Sequence, residues 1–226
     1  MTVDRPLGLS ELLAEAVRLY GHRFWAAIGL GLPMGAAYLA GLATPVALDV
    51  IMVAIAFTGS YAAAARITVG DPFWEAWAQA ALRIPVLAVL AVVVSVPFAI
   101  ALTQLYLLVP AGAWLGVTCF SVAVAMLEQD PDARTWFHRV AFTLTRSVSL
   151  ARAEILHAIG IVAGLMLVYI VVGIVLVSAL VGFGDNGRDV AVAITQVVLS
   201  PLFVLGLSVL YFEQRARALS SPQPKT

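Results

Sequence analysis

The chain has 226 residues, of which 62% are hydrophobic and 12% charged, with a mean hydropathy of +0.99. A soluble domain is about half apolar and about a quarter charged, so these totals exclude an ordinary water-soluble fold and point to a bilayer. Thirteen basic residues balance thirteen acidic ones, which excludes bulk electrostatic attraction to nucleic acid, and the single cysteine, Cys119, excludes an internal disulfide framework and reads as a small core residue.

The start of the chain, Met1 to Trp25, has mixed charge and then an amphipathic stretch. It lacks the pattern of a cleavable signal peptide, and the apolar run from Phe24 is too long for a signal h-region, so a retained start is expected. A membrane helix needs about 20 predominantly apolar residues. Such runs fall at Phe24–Ala43 and Val46–Ala65. Ile84–Leu127 is long enough for two helices and a turn. The turn falls either at Thr103-Gln104 or at Pro110-Ala111-Gly112, and the stronger breakers favour the second. Ile155–Leu180 and Val190–Tyr211 complete six spans, which put both ends on one side.

On that side lie Arg5, Arg18, Arg23, Arg66, Arg83, Arg134, Arg139, Arg146, Arg152, Arg215, Arg217 and Lys225, and Arg188 alone lies on the other. This positive-inside bias predicts cytoplasmic N- and C-termini in an inner (plasma) membrane.

The segments that precede the first, third and fifth spans are amphipathic. Ser10, Asp71 and Asp130 are each a candidate N-cap, and Pro72 and Pro131 then fall at the first helical position. Helical spacing places Leu9, Leu12, Leu13, Ala16, Val17 and Tyr20 on one face of the first segment. It groups Trp74, Trp77, Ala81 and Ile84 on the second, opposite Glu75, Gln79 and Arg83, and Ala133, Trp136, Phe137, Val140, Ala141 and Leu144 on the third. The caps are 61 and 59 residues apart. The expected fold is therefore an all-α membrane bundle, one domain over 1–218, of three helix-plus-hairpin pseudo-repeats (8–68, 69–128 and 129–217) with a disordered tail at 219–226.

Tryptophan favours the headgroup level, and Trp25, Trp74, Trp77 and Trp136 all fall near the inner boundary as interface anchors. The three amphipathic helices then lie in the plane of the inner leaflet or fold under the bundle, and either way form a collar on the cytoplasmic face.

Three stretches resemble a group of bacterial six-helix membrane proteins that includes the membrane domain of some glycerophosphoryl diester phosphodiesterases. They are Glu11-Leu12-Leu13-Ala14-Glu15-Ala16-Val17-Arg18-Leu19-Tyr20, Pro110-Ala111-Gly112-Ala113-Trp114-Leu115, and Tyr211-Phe212-Glu213-Gln214-Arg215-Ala216-Arg217. The second carries an inserted Ala, and the basic motif usual in the third amphipathic segment is blurred to Ala141-Phe142-Thr143-Leu144. The resemblance implies six spans and no agreed activity. The phosphodiesterase chemistry of fused members sits in a separate soluble domain for which this chain has no room.

Candidate chemistry is sparse. Asp49, Arg66, Gln104, His157 and Gln196 are polar residues in or beside spans, where interhelical contacts or snorkelling are their ordinary use. His22, His138 and His157 lack the neighbours of a metal site, and the Asp185-Asn186-Gly187-Arg188-Asp189 loop lacks the ligand set of a calcium loop. No catalytic residue, cofactor or metal is expected. Gly31 with Gly35, Gly160 with Gly164, and Ala62 to Ala65 suit close helix packing within the monomer or, less so, across a homodimer. Pro33, Pro97 and Pro201 predict kinks. Arg139, Arg146, Arg152, Arg215 and Arg217 are candidate contacts to lipid headgroups or a protein partner, although the same positions satisfy topology alone. The expected function is a non-enzymatic membrane scaffold or accessory subunit that acts through its collar. The alternative is a small transporter or permease component.

Overall fold

In a computed structural model of the chain, residues 8–95, 97, 108–128, 135–181 and 187–220 are described, and every described element is helical. The elements are α1 (Leu9–His22), α2 (Phe24–Gly41), α3 (Val46–Val69), α4 (Phe73–Ala81) and α5 (Ile84–Leu90), which runs into a π-helical turn at Ala91–Ser95. Then follow α6 (Leu108–Thr118), α7 (Phe120–Leu127), α8 (Trp136–Ala153), α9 (Ile155–Leu180) and α10 (Gly187–Ser220).

Five segments are long and apolar enough to cross a membrane: α2, α3, Pro110–Leu127, α9 and most of α10. Helix α4 and Ile84–Val94 reach that length only as a pair bent by 80°, which makes a sixth candidate. Helix α9 shows why water is a poor solvent for this chain. It buries Ala158, Ile161, Val162 and Leu165, all in its first half, and leaves Leu167, Ile170, Val171, Ile174 and Val175 exposed. A soluble monomer rarely shows so long an apolar face, whereas hydrocarbon tolerates it.

Helices α3 and α10 form the centre. Helix α10 packs on α1, α2, α3 and α9, and α3 packs on α2, α4, α7 and the π turn. Small residues allow the approach. A Cβ on Gly31 would overlap the Val197 carbonyl of α10, and one on Gly35 would lie 2.5 Å from Val197 Cγ2. Ala62 to Ala65 are fully buried. Gly164 receives Leu9 of α1, while Gly160 has open space around it. Pro33 and Pro201 lie inside α2 and α10, which run on through them, and Pro97 follows the π turn. The carbonyl of Val93 in that turn accepts from the indole N–H of Trp114 at 2.9 Å, so the distorted stretch keeps a partner.

Several local expectations are corrected. The N-cap of α1 is Gly8, not Ser10, and the Gly8 N–H donates back to Glu11 at 3.1 Å. The N-cap of α4 is Pro72, not Asp71, because α3 ends on Gly70 with φ 120° and the Asp71 carboxylate is taken by Arg66 at 2.6 Å. Thr135 caps α8 through the His138 N–H, and Asp130 and Pro131 lie outside the described residues. Pro110-Ala111-Gly112 is helical within α6, not a turn, because Pro is tolerated in a first helical turn. Thr103 and Gln104 lie outside the described residues.

The buried faces are also rotated from expectation. Helix α4 packs through Phe73, Ala76, Trp77 and Ala80 and leaves Trp74 and Ala81 exposed, and Ile84, the first residue of α5, is exposed as well. Helix α8 buries Val140, Thr143, Ser147, Leu150 and Ala151, and leaves Trp136, Phe137 and Ala141 exposed. Only α1 keeps the core of its expected face, with Leu12 and Ala16 fully buried, although Leu9 and Val17 are exposed. In α8 the small hydroxyl residues win because they permit close approach, and Ser147 Oγ donates to the Val117 carbonyl of α6 at 2.8 Å.

Candidate functional site

Each amphipathic helix meets the helix that follows it at a residue that leaves helical geometry. Arg23 stands between α1 and α2, Arg83 between α4 and α5, and Glu154 between α8 and α9, with φ of −126°, −111° and −158°. Each of these residues reaches the C-terminal end of a later long helix. Arg23 donates to the carbonyls of Asp71 at 2.8 Å, Ile67 at 3.2 Å and Gly70 at 3.3 Å, where α3 ends. Arg83 donates to the Ala125 carbonyl near the end of α7. Glu154 pairs with Arg217 near the end of α10. The last carbonyls of a helix have no intrahelical partner and carry partial negative charge, so a guanidinium suits them. The third junction uses the same closure with the charges exchanged. These contacts place the three junctions and the ends of α3, α7 and α10 at one end of the bundle.

Polar clusters fill the space between these ends. Helix α10, about 51 Å long at 1.5 Å per residue, outruns the ~30 Å hydrocarbon thickness. Its last turns carry Tyr211, Glu213, Gln214, Arg215 and Arg217. Glu213 and Gln214 have no exposed surface. Glu213 Oε1 lies 2.6 Å from Arg217 Nη2 and 3.1 Å from His157 Nε2. The Tyr211 hydroxyl donates to Glu128 Oε1 at 2.9 Å, and Arg146 Nε donates to Glu128 Oε2 at 3.0 Å. Two polar clusters, both anchored on α10, thus tie it to α7 and α8 on one hand and to α9 on the other. Neither amide atom of Gln214 has a hydrogen-bond partner among the described residues.

The expected site residues divide into two groups. Arg146 and Arg217 face inward into these ion pairs. Arg152 is exposed, and Arg139 and Arg215 are half-buried. Burial, followed by the positive charges of Arg139 and then Arg66, lowers the pKa of Arg83, which places three cations near the α4–α5 corner. Trp25 and Trp74 are 83% and 79% exposed, Trp136 is 45% exposed, and Trp77 is half-buried against the core. Each anchor has a phenylalanine beside it. Trp25 meets Phe24 edge-on, Trp74 and Trp77 both meet Phe73, and Trp136 stacks on Phe137.

Sequence reasoning missed Glu213 and Tyr211 as partners in these clusters and Gln214 as a buried side chain beside them. One signal was present, because Glu213 stands four residues before Arg217, the favourable order for a helical pair. Away from the collar, Gln196 is bonded by the Tyr169 hydroxyl, and Asp49 lies against Gly41. Among the described residues no group of three His, Cys, Asp or Glu could hold a metal. A cavity of 330 Å³ opens between α2, α3, α4 and α5, with an apolar lining interrupted by Thr58 and the Trp77 indole. Comparisons with protein families, with curated proteins and with solved structures found no match.

Proposed function

We propose that the protein is a non-enzymatic integral membrane scaffold or accessory subunit, akin to the bacterial six-helix proteins its sequence resembles. In this reading six spans cross the inner (plasma) membrane with both termini in the cytoplasm, α4 belongs to the collar, and the third span opens at α5. The three units, 8–68, 69–128 and 129–217, are pseudo-repeats. The observation that carries the reading is the repeated closure of Arg23 on Ile67 and Gly70, Arg83 on Ala125, and Glu154 on Arg217. In each unit the residue after the amphipathic helix grips the end of that unit's second long helix. Such ties make the collar a rigid platform, and they commit its best-placed charges to structure rather than to chemistry. What remains outward are aromatic anchors, Trp25, Trp74 and Trp136, with Arg152 and the half-buried Arg139 and Arg215, a surface suited to lipid headgroups or a membrane-protein partner.

The lining of the 330 Å³ cavity is apolar apart from Thr58 and the Trp77 indole, which weighs for the scaffold over a small transporter. Native mass spectrometry of the tagged protein, extracted gently from its own membranes, tests the reading. A stoichiometric second polypeptide supports it. A lone chain that retains a defined polar small molecule would overturn it in favour of transport.

A further inference from the structure

The cavity beside α4 has a form that the scaffold reading does not explain. Its walls are Pro33 of α2, Ile55, Thr58 and Gly59 of α3, Trp77 of α4, and the stretch from Ile84 of α5 to Ala91 at the start of the π turn. Along α5 that wall is about 10 Å long at 1.5 Å per residue, roughly two-thirds of the ~15 Å depth of one leaflet. The walls are too apolar to hold water, which needs several polar partners. An unfilled void of this size costs the dispersion contacts of its lining.

Two further observations bear on what fills it. Thr58 lines the groove, is 1% exposed, and its hydroxyl has no hydrogen-bond partner among the described residues. The Trp77 ring lies 3.6 Å from where a Cβ on Gly59 would stand, so Thr58 sits at the level of α4. A buried hydroxyl left unpaired is unfavourable, and an ester carbonyl would supply its acceptor. The second observation is charge. Arg83 directly precedes the groove residue Ile84, with Arg139 and Arg66 as like-charged neighbours. Asp71 compensates Arg66, but no acidic side chain pairs with Arg83 or Arg139 among the described residues. An anion at this corner is electrostatically favoured.

We propose that the groove binds an anionic phospholipid of the leaflet on the collar side. One acyl chain lies along α5, the ester region meets Thr58 and Trp77, and the headgroup sits towards Arg83 and Arg139. This inference rests on the membrane-spanning reading above. Apolar burial alone does not select this site, because bulk lipid is equally apolar. Selection comes from the fit of the chain, the single hydroxyl and the charge.

Ala81 and Ala88 line the groove and are exposed, so a larger side chain at either fills the groove without displacing the core. The test reconstitutes wild type, Ala88→Phe and Ala81→Phe into vesicles of equal parts phosphatidylglycerol and phosphatidylcholine. Each protein is then extracted for native mass spectrometry, with circular dichroism to check the helices. Wild type is expected to retain a single phosphatidylglycerol per chain in preference to phosphatidylcholine, and both variants, still helical, to retain about tenfold less. Equal retention by wild type and both variants, or no preference between the two lipids, overturns the inference and leaves the scaffold reading intact. Failure of wild type to enter the vesicles overturns the membrane reading itself, and the inference with it. If one variant loses helical signal, the other decides.

Discussion

Glu213 Oε1 lies 2.6 Å from Arg217 Nη2, and Glu213 has no exposed surface at all. A carboxylate taken wholly out of water holds its charge only if cations and donors surround it, and removal of one partner leaves a buried charge uncompensated. Arg217→Ala is therefore expected to destabilise the protein by about 3–5 kcal/mol. Replacement of Glu213 by Leu in the same background should recover much of that loss, because an apolar side chain needs no partner. Thermal unfolding in detergent reads both. An Arg217→Ala variant as stable as wild type would show that the pair contributes nothing.

Arg23 makes a different kind of contact. Its two terminal nitrogens spread over the carbonyls of Ile67, Gly70 and Asp71, a fork that a lysine ammonium cannot reproduce. Arg23→Lys should cost about 1.5–3 kcal/mol, the scale of hydrogen bonds from a charged group, and Arg23→Ala more. The same unfolding experiment separates them. Equal stability of the lysine variant and wild type would mean that charge alone, without the fork, holds the end of α3.

Two glycines that look alike in sequence should behave in opposite ways. Gly31→Ala drives a methyl group into the Val197 backbone, and overpacking of this kind costs about 1–3 kcal/mol. Gly160→Ala meets open space and should stay within about 0.5 kcal/mol of wild type. Melting temperatures compare them directly. Loss of self-association in Gly160→Ala, scored by crosslinking, would assign that glycine to a homodimer face instead.

Long elements were legible in the sequence because a bilayer imposes a coarse rule. Helices α2, α3 and α9 begin at Phe24, Val46 and Ile155, where their apolar runs begin. The amphipathic helices were legible as helices but not in register. Periodicity ranked bulky apolar residues as the buried face, yet α4 and α8 approach their neighbours through Ala76 and Ala80, and through Thr143 and Ser147. Close contact in an apolar bundle rewards small side chains and lets Trp74 and Phe137 face outward. The Asp71 cap failed for a local reason, since its carboxylate takes the ion pair with Arg66 rather than the amides of α4. The polar clusters at the end of α10 were hidden because Glu128, His157 and Glu213 are far apart in sequence. Arginines counted only as topology signals, Arg23 and Arg83 among them, became structural ties once the helix ends were seen to meet.

The junctions and their collar are expected on the cytoplasmic side of a membrane. Cys119 is buried and can be replaced by Ser to give a background without cysteine. Single cysteines are then placed at Ala43, in the α2–α3 turn, and at Ser149, on the exposed face of α8. Intact cells are treated with a membrane-impermeant maleimide, before and after lysis. Labelling at position 43 in intact cells, and at position 149 only after lysis, is the predicted result. Labelling at position 149 in intact cells would contradict it.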